Sequence, residues 1–163
     1  MHDLSLSVYV LEPVPPIGIS LQGYFTKDRE MLWNGYKSAI SLCTAISLST
    51  GLKYLVARQR PFDKYPGYLD ARDDPFTPSF PSGHTTAAFA TATALSLTYK
   101  KWYVTVPAYA YAAMAAYSRM RLGVHYPSDV LGGIVLGTGS TLLTWHVHKK
   151  LRQRKEKNAL PGD

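Results

Sequence analysis

Three short stretches gather groups that handle anions and protons: Lys53–Pro61 (KYLVARQRP), Pro81–His84 (PSGH) and Ser118–Asp129 (SRMRLGVHYPSD). In the first, Lys53 lies in an apolar run with uncharged neighbours until Arg58, and Arg60 and Pro61 follow. An ionisable group in such a run is costly unless it faces a partner or a wet cavity. In the second, Gly83 allows close backbone approach and Ser82 adds a hydroxyl where a helix begins. Free N–H groups and the helix dipole there favour an anion. His84 comes next, placed to give a proton to a leaving group. In the third, His125 and Asp129 lie four residues apart and can meet on one helix face. A carboxylate bonded to one ring nitrogen fixes the tautomer and leaves the other nitrogen as nucleophile or base. Arg119 offers a planar fork suited to phosphate oxygens, while Arg121 is expected at the surface. Each stretch alone also reads as a capped helix end with charged neighbours; only their combination points to chemistry.

Helices must deliver these groups. Apolar stretches run over Ser38–Ala57, about Ser82–Tyr99, Trp102–Tyr117 and about Val130–Val147, without the alternation of a strand. The spacer RQRPFDKYPGYLDARDDPFTPSFP holds too many breakers for a helix. Ser82 is the expected N-cap of the second helix, and Pro127 falls in the first turn of the fourth. In an antiparallel bundle the ends near Arg60, His84, Arg119 and His125 meet on one face. The opposite face collects Lys37, Lys100, Lys101 and the run Lys149 to Arg152, with Trp33, Trp102 and Trp145 close by. A tryptophan-and-lysine belt is what the cytoplasmic interface of a membrane selects. The expected fold is therefore all-α, an antiparallel helical bundle with the site at one end, embedded in a membrane. The stretches are short against the ~20 residues of a usual span, and mean hydropathy is −0.11. A soluble bundle with a Ser/Thr-tolerant core is the alternative.

The 163 residues are expected to form a single domain, with a helical core over about 36–148 and a basic tail over 149–163. Lys and Arg outnumber Asp and Glu by 18 to 11, so the surface attracts anions. The basic residues gather at helix ends and in the tail rather than along a groove-sized face, which argues against a nucleic-acid partner. A lone cysteine, Cys43, rules out an internal disulfide and is expected to pack as a small hydrophobe. No His/Cys/carboxylate set has metal-ligand spacing, so no metal is expected. The opening MHDLSLSVYVLEPVPP lacks the regions of a signal peptide, and LEPVPPIGISLQGYF is too short and proline-broken for two spans.

In order, Lys-x6-Arg-Pro (53–61), Pro-Ser-Gly-His (81–84) and Ser-Arg-x5-His-x3-Asp (118–129) resemble the signature of the phosphatidic acid phosphatase type 2 superfamily. That family also holds bacterial class A acid phosphatases and vanadium haloperoxidases. The resemblance implies a phosphatase that needs no metal or other cofactor. His125 would attack phosphorus to form a phosphohistidine, Asp129 would hold His125, and His84 would protonate the leaving oxygen and then activate water. Lys53, Arg60, Ser82, Gly83 and Arg119 would bind the phosphoryl oxygens. Paired histidine roles of this kind imply a bell-shaped pH profile. The implied substrate is a phosphomonoester or diphosphate, foremost of a lipid: phosphatidate, a polyprenyl diphosphate or a phosphorylated glycolipid. A soluble non-specific acid phosphatase is the alternative. A vanadium haloperoxidase would hold vanadate with the same residues, but so short a chain leaves little room for a halide pocket. The positive-inside rule turns the active face of an embedded bundle toward the periplasm or exterior. The spacer with Tyr65, Tyr68, Asp70, Asp73 and Asp74 would then overhang the site as a specificity element.

Overall fold

The computed structural model describes residues 12–65 and 77–159. Tyr68, Asp70, Asp73 and Asp74 of the expected specificity spacer lie outside these residues. The described residues form α1 (Val14–Phe25), α2 (Arg29–Val56), the single turn α3 (Pro61–Lys64), α4 (Gly83–Tyr99), α5 (Trp102–Arg121) and α6 (Pro127–Ala159). No strand occurs among them. The prolines near the amino end begin α1, where a first turn needs no N–H from them. Asp28 caps α2 by accepting from the N–H groups of Glu30 and Met31 at 2.9 and 3.1 Å. With that cap α2 starts at Arg29, well before the apolar run that begins at Ser38. It ends where Ala57 turns left-handed at φ 49° and its N–H reaches the Lys53 carbonyl at 2.8 Å. The tail expected beyond residue 148 continues α6 as helix through Ala159, because its Lys, Arg and Gln residues are good helix formers.

Helix α4 is central: it packs against α2, α5 and α6, while α1 lies along α2. The residues that meet there are small. One cluster joins Ala88, Ala92, Ala112, Ala115 and Ala116 with Phe89 and Val130, and another joins Leu42, Ala45, Ala87 and Ala90. Buried hydroxyls of Ser38, Thr86 and Thr93 bond to carbonyls one turn back in the chain. Thr141 Oγ1 also reaches across from α6 to the Ala90 carbonyl at 3.2 Å. Large apolar side chains point outward instead, with Leu55 83% and Val135 72% exposed. Water would penalise that arrangement, whereas lipid tails cover it and leave small residues to bring helices together.

Helices α2 and α6 are long and apolar enough to cross a membrane. The second and third apolar stretches do not reach that standard: α4 has only 17 residues and is enclosed by its neighbours, and α5 is rich in tyrosine. Cys43 also departs from expectation and is exposed, because α2 turns Ser41, Leu42 and Ala45 inward and Cys43 away from them.

Close approach of α4 and α6 depends on two glycines spaced by four. A Cβ at Gly133 would meet the Ser82 carbonyl at 2.8 Å, and one at Gly137 would overlap the Thr86 carbonyl. Gly137→Ala is therefore expected to destabilise by about 1–3 kcal/mol. Gly139→Ala, where a Cβ meets nothing within 4 Å, is expected to be neutral or stabilising by up to ~1 kcal/mol. Thermal unfolding in detergent checks the pair, and equal effects would contradict the contact.

Candidate active site

The end of α2 and the start of α6 supply one wall of the site. Lys53, on the last turn of α2, donates through Nζ to the Pro78 carbonyl at 2.7 Å. Beyond the left-handed Ala57 the chain returns toward the bundle with Arg60 in extended geometry. Arg60 is 4% exposed. It donates from Nε to the Thr77 carbonyl at 2.7 Å, from Nη2 to Thr77 Oγ1 at 3.2 Å and from Nη1 to the Val124 carbonyl at 2.8 Å. The same Nη1 stands 3.4 Å from His125 Nε2. An arginine is donor only, so the lone pair is assigned to Nε2 and the ring proton to Nδ1. Nδ1 faces Asp129 Oδ2 at 3.5 Å, four residues on, as the spacing predicts.

Asp129 is fully buried and is fixed from two further directions. The Tyr126 N–H donates to Oδ2 at 2.9 Å, and Arg58 Nη1 donates to Oδ1 at 2.7 Å. Arg58 also donates to Ser128 Oγ at 2.7 Å and lies over the Tyr126 ring at 4.0 Å. Burial pushes the His125 imidazole down from 6.5 to about 4; the Asp129 carboxylate opposes this, and the cations Arg60, Lys53 and Arg119 add to it. His125 is thus a neutral base with an available lone pair at neutral pH.

The amino end of α4 forms the other wall. Ser82 occupies the N-cap position expected for it, but its hydroxyl makes no capping bond and accepts from Thr85 Oγ1 at 3.0 Å. The Ser82 N–H donates to the Asp129 carbonyl at 3.0 Å, which ties this turn to the His125 segment. A Cβ on Gly83 would meet only Lys53 Cε at 3.9 Å and Ser49 Oγ at 4.0 Å, so neither packing nor backbone geometry requires the glycine. Ser49 buries a hydroxyl without a hydrogen-bond partner beside it. His84 follows in the first turn of α4 and is 8% exposed. Arg119, 2% exposed at the end of α5, acts on His125 through its charge. Arg121 is exposed, as expected.

His125, Asp129, Lys53, Arg60 and Arg119 therefore share one electrostatic neighbourhood, and the α4 turn with Ser82 and Gly83 adjoins it. Three contributors lie outside the sequence pattern: Arg58, Thr77 and Ser49. Arg58 has a signal, because an arginine two places before Arg60 in the same non-helical link lies within reach of the same wall. Thr77 and Ser49 have none, since their roles come from where the spacer and α2 happen to pass.

Residues 35–153 match the PAP2 superfamily. An undecaprenyl-diphosphatase of Sulfolobus acidocaldarius is 35% identical over 73% of the chain and 60% of its own length. A lipid A 1-phosphatase of Porphyromonas gingivalis is 33% identical over 73% of the chain and 25% of its own length. The chain thus spans less than two thirds of the length of these two relatives. The crystal structure of a transmembrane PAP2-type phosphatidylglycerolphosphate phosphatase from Bacillus subtilis superposes with a TM-score of 0.74. It is 26% identical, and the match covers 92% of this chain and 75% of that one.

Imidazole nitrogen NMR tests the tautomer and the charge together. The spectrum is expected to show a neutral His125 protonated at Nδ1, with a titration midpoint near 4. Tungstate, as an oxyanion occupying the site, is expected to raise that midpoint by about 1–2 units, since an adjacent negative charge favours the imidazolium. A midpoint at the ordinary 6.5 that tungstate does not move would contradict the assignment.

Proposed function

The chain belongs to the PAP2 superfamily, and on that premise we propose that it is a membrane phosphatase that hydrolyses a lipid phosphomonoester or diphosphate through a phosphohistidine on His125. The observation that carries this reading is the orientation of His125: Nε2 toward Arg60, Nδ1 toward Asp129, with Lys53 and Arg119 adding positive charge.

In the first step Nε2 attacks phosphorus and the bond from phosphorus to the leaving oxygen breaks. The proton for that oxygen comes from His84. Asp129 stabilises the positive charge that develops on the ring, and Arg58 holds the carboxylate in place. Lys53, Arg60 and Arg119 take the negative charge gathering on the equatorial oxygens, and the amino end of α4 at Gly83 completes the clamp. In the second step His84, now neutral, takes a proton from water as the water oxygen attacks phosphorus. The nitrogen–phosphorus bond breaks, phosphate leaves, and His125 returns neutral. One residue donates first and accepts second, so the cycle closes without an outside acid or base.

Apolar side chains cover the outside of the bundle, and the site lies at its end, where a lipid phosphate resides while its tails stay in the bilayer. The basic residues at the opposite end turn the site toward the periplasm or exterior under the positive-inside rule. Every group used in the reaction lies between Lys53 and Asp129, within one phosphatase domain. The relatives act on undecaprenyl diphosphate, lipid A and phosphatidylglycerolphosphate by their names, and those three define the panel worth testing.

Phosphate release should be measured on these lipids and on p-nitrophenyl phosphate, with protein in detergent micelles. At least one lipid is expected to exceed the soluble ester in kcat/KM, with a bell-shaped pH dependence. His125→Ala is expected to lower turnover by at least ~10³-fold. Arg58→Gln is expected to lower kcat by about 10²-fold through displacement of the Asp129–His125 pair. Turnover by His125→Ala close to that of the parent would refute the nucleophile, and preference for the soluble ester would refute the lipid assignment.

A further inference from the structure

The end of the bundle opposite His125 carries a second basic recess. Arg29 and Lys53 stand 24 positions apart on α2, about 36 Å along the helix axis. A hollow of about 520 Å³ opens there between the start of α2 and the end of α6, lined by Arg29, Glu30, Trp33, His148, Arg152 and Lys155. His148, Arg152 and Lys155 share one face of α6 by spacings of four and three, so two cations lie together on that face. Among the described lining residues Glu30 is the one carboxylate, against Arg29, Arg152 and Lys155. Trp33, 51% exposed, packs its ring on His148 at 5.5 Å between centroids, and Leu151 adds an apolar rim.

The depth of the recess narrows its partner. Helix α6 has 33 residues, about 50 Å, against a hydrocarbon core of ~30 Å. An apolar run that enters the core at Val130 leaves it near Lys149, so Arg152 and Lys155 stand at headgroup level. One turn deeper, Lys37 lies over the Trp145 ring at 4.7 Å, which places the aromatic belt at the same boundary. The occupant must then be anionic on the side facing the cations and apolar on the side facing Trp33 and Leu151.

We propose that this recess binds the headgroup phosphate of an anionic phospholipid from the leaflet bordering that end of the bundle, with Arg29, Arg152 and Lys155 around the phosphate and Trp33 against the glycerol. The site is separate from the reaction assigned to His125 and does not rest on it. A bound lipid bridges the first turn of α2 and the last turns of α6, so it stabilises the helices that carry Lys53 and Asp129 at their far ends.

The test is thermal unfolding of the purified protein in dodecyl maltoside micelles titrated with phosphatidylglycerol or phosphatidylcholine. Phosphatidylglycerol is expected to raise Tm saturably by about 5 °C, and phosphatidylcholine to leave it unchanged. The double variant R152Q/K155Q is expected to keep the parent Tm in phosphatidylcholine and to lose at least half of the response to phosphatidylglycerol. K100Q/K101Q, which removes equal charge at the turn between α4 and α5, is expected to keep the full response. A full response in R152Q/K155Q would overturn the site, and an equal loss in K100Q/K101Q would replace it with diffuse surface attraction. An equal rise with free glycerol 3-phosphate would overturn the lipid assignment.

Discussion

Cations buried beside an uncharged imidazole are the constraint on which the rest of this molecule depends. Arg60 and Arg119 are almost fully enclosed, and their charges, with that of Lys53, bear on His125. Like charges at such proximity repel, and Lys53 and Arg60 are each pinned by a carbonyl acceptor. Pro78 holds Lys53 through its carbonyl, and Thr77 and Val124 hold Arg60. Arg58 is used differently, since it spends its charge on Asp129 and keeps that carboxylate from moving toward the other cations. What remains is a surplus of positive charge around one lone pair, the arrangement that the proposed phosphoryl transfer would use.

The bundle makes this possible by reversing the usual distribution of residues. Alanine, serine and threonine occupy the interior, and leucine, isoleucine and valine cover the outside. Small interior residues let α4 lie close against α6, and that closeness brings the Ser82 turn within hydrogen-bonding reach of Asp129. Lipid outside and charge at the two ends are two consequences of one arrangement. The ends differ in character: at one end Arg60 and Arg119 are buried, with Arg60 held by the Thr77 carbonyl, and at the other Arg29, Arg152 and Lys155 are exposed.

Much of the site was legible because its chemistry leaves residues of fixed type at fixed spacing. His125 and Asp129 meet as an i,i+4 pair, and Arg119 and Arg121 separate into a buried and an exposed arginine. The all-α bundle followed from four apolar runs without alternation. Other features were hidden for physical reasons. Asp28 extends α2 beyond its apolar run through a local cap, and the charged tail continues α6 because propensity, rather than hydrophobicity, sustains it. Cys43 looked like core because apolar runs destined for lipid do not reveal which face is inward. The central helix α4 has 17 residues, short for a span, and packs against α2, α5 and α6. Thr77 reaches Arg60 through tertiary placement alone.

The convergence of these groups on one phosphoryl-sized space is tested most directly by an experimental structure with bound orthovanadate, whose trigonal bipyramid mimics phosphorus under attack. Vanadium bonded to His125 Nε2 is the predicted result, with its equatorial oxygens bonded to Lys53, Arg60 and Arg119 and an apical oxygen toward His84. Vanadate bound elsewhere, or at this site without a bond to His125, would contradict the account.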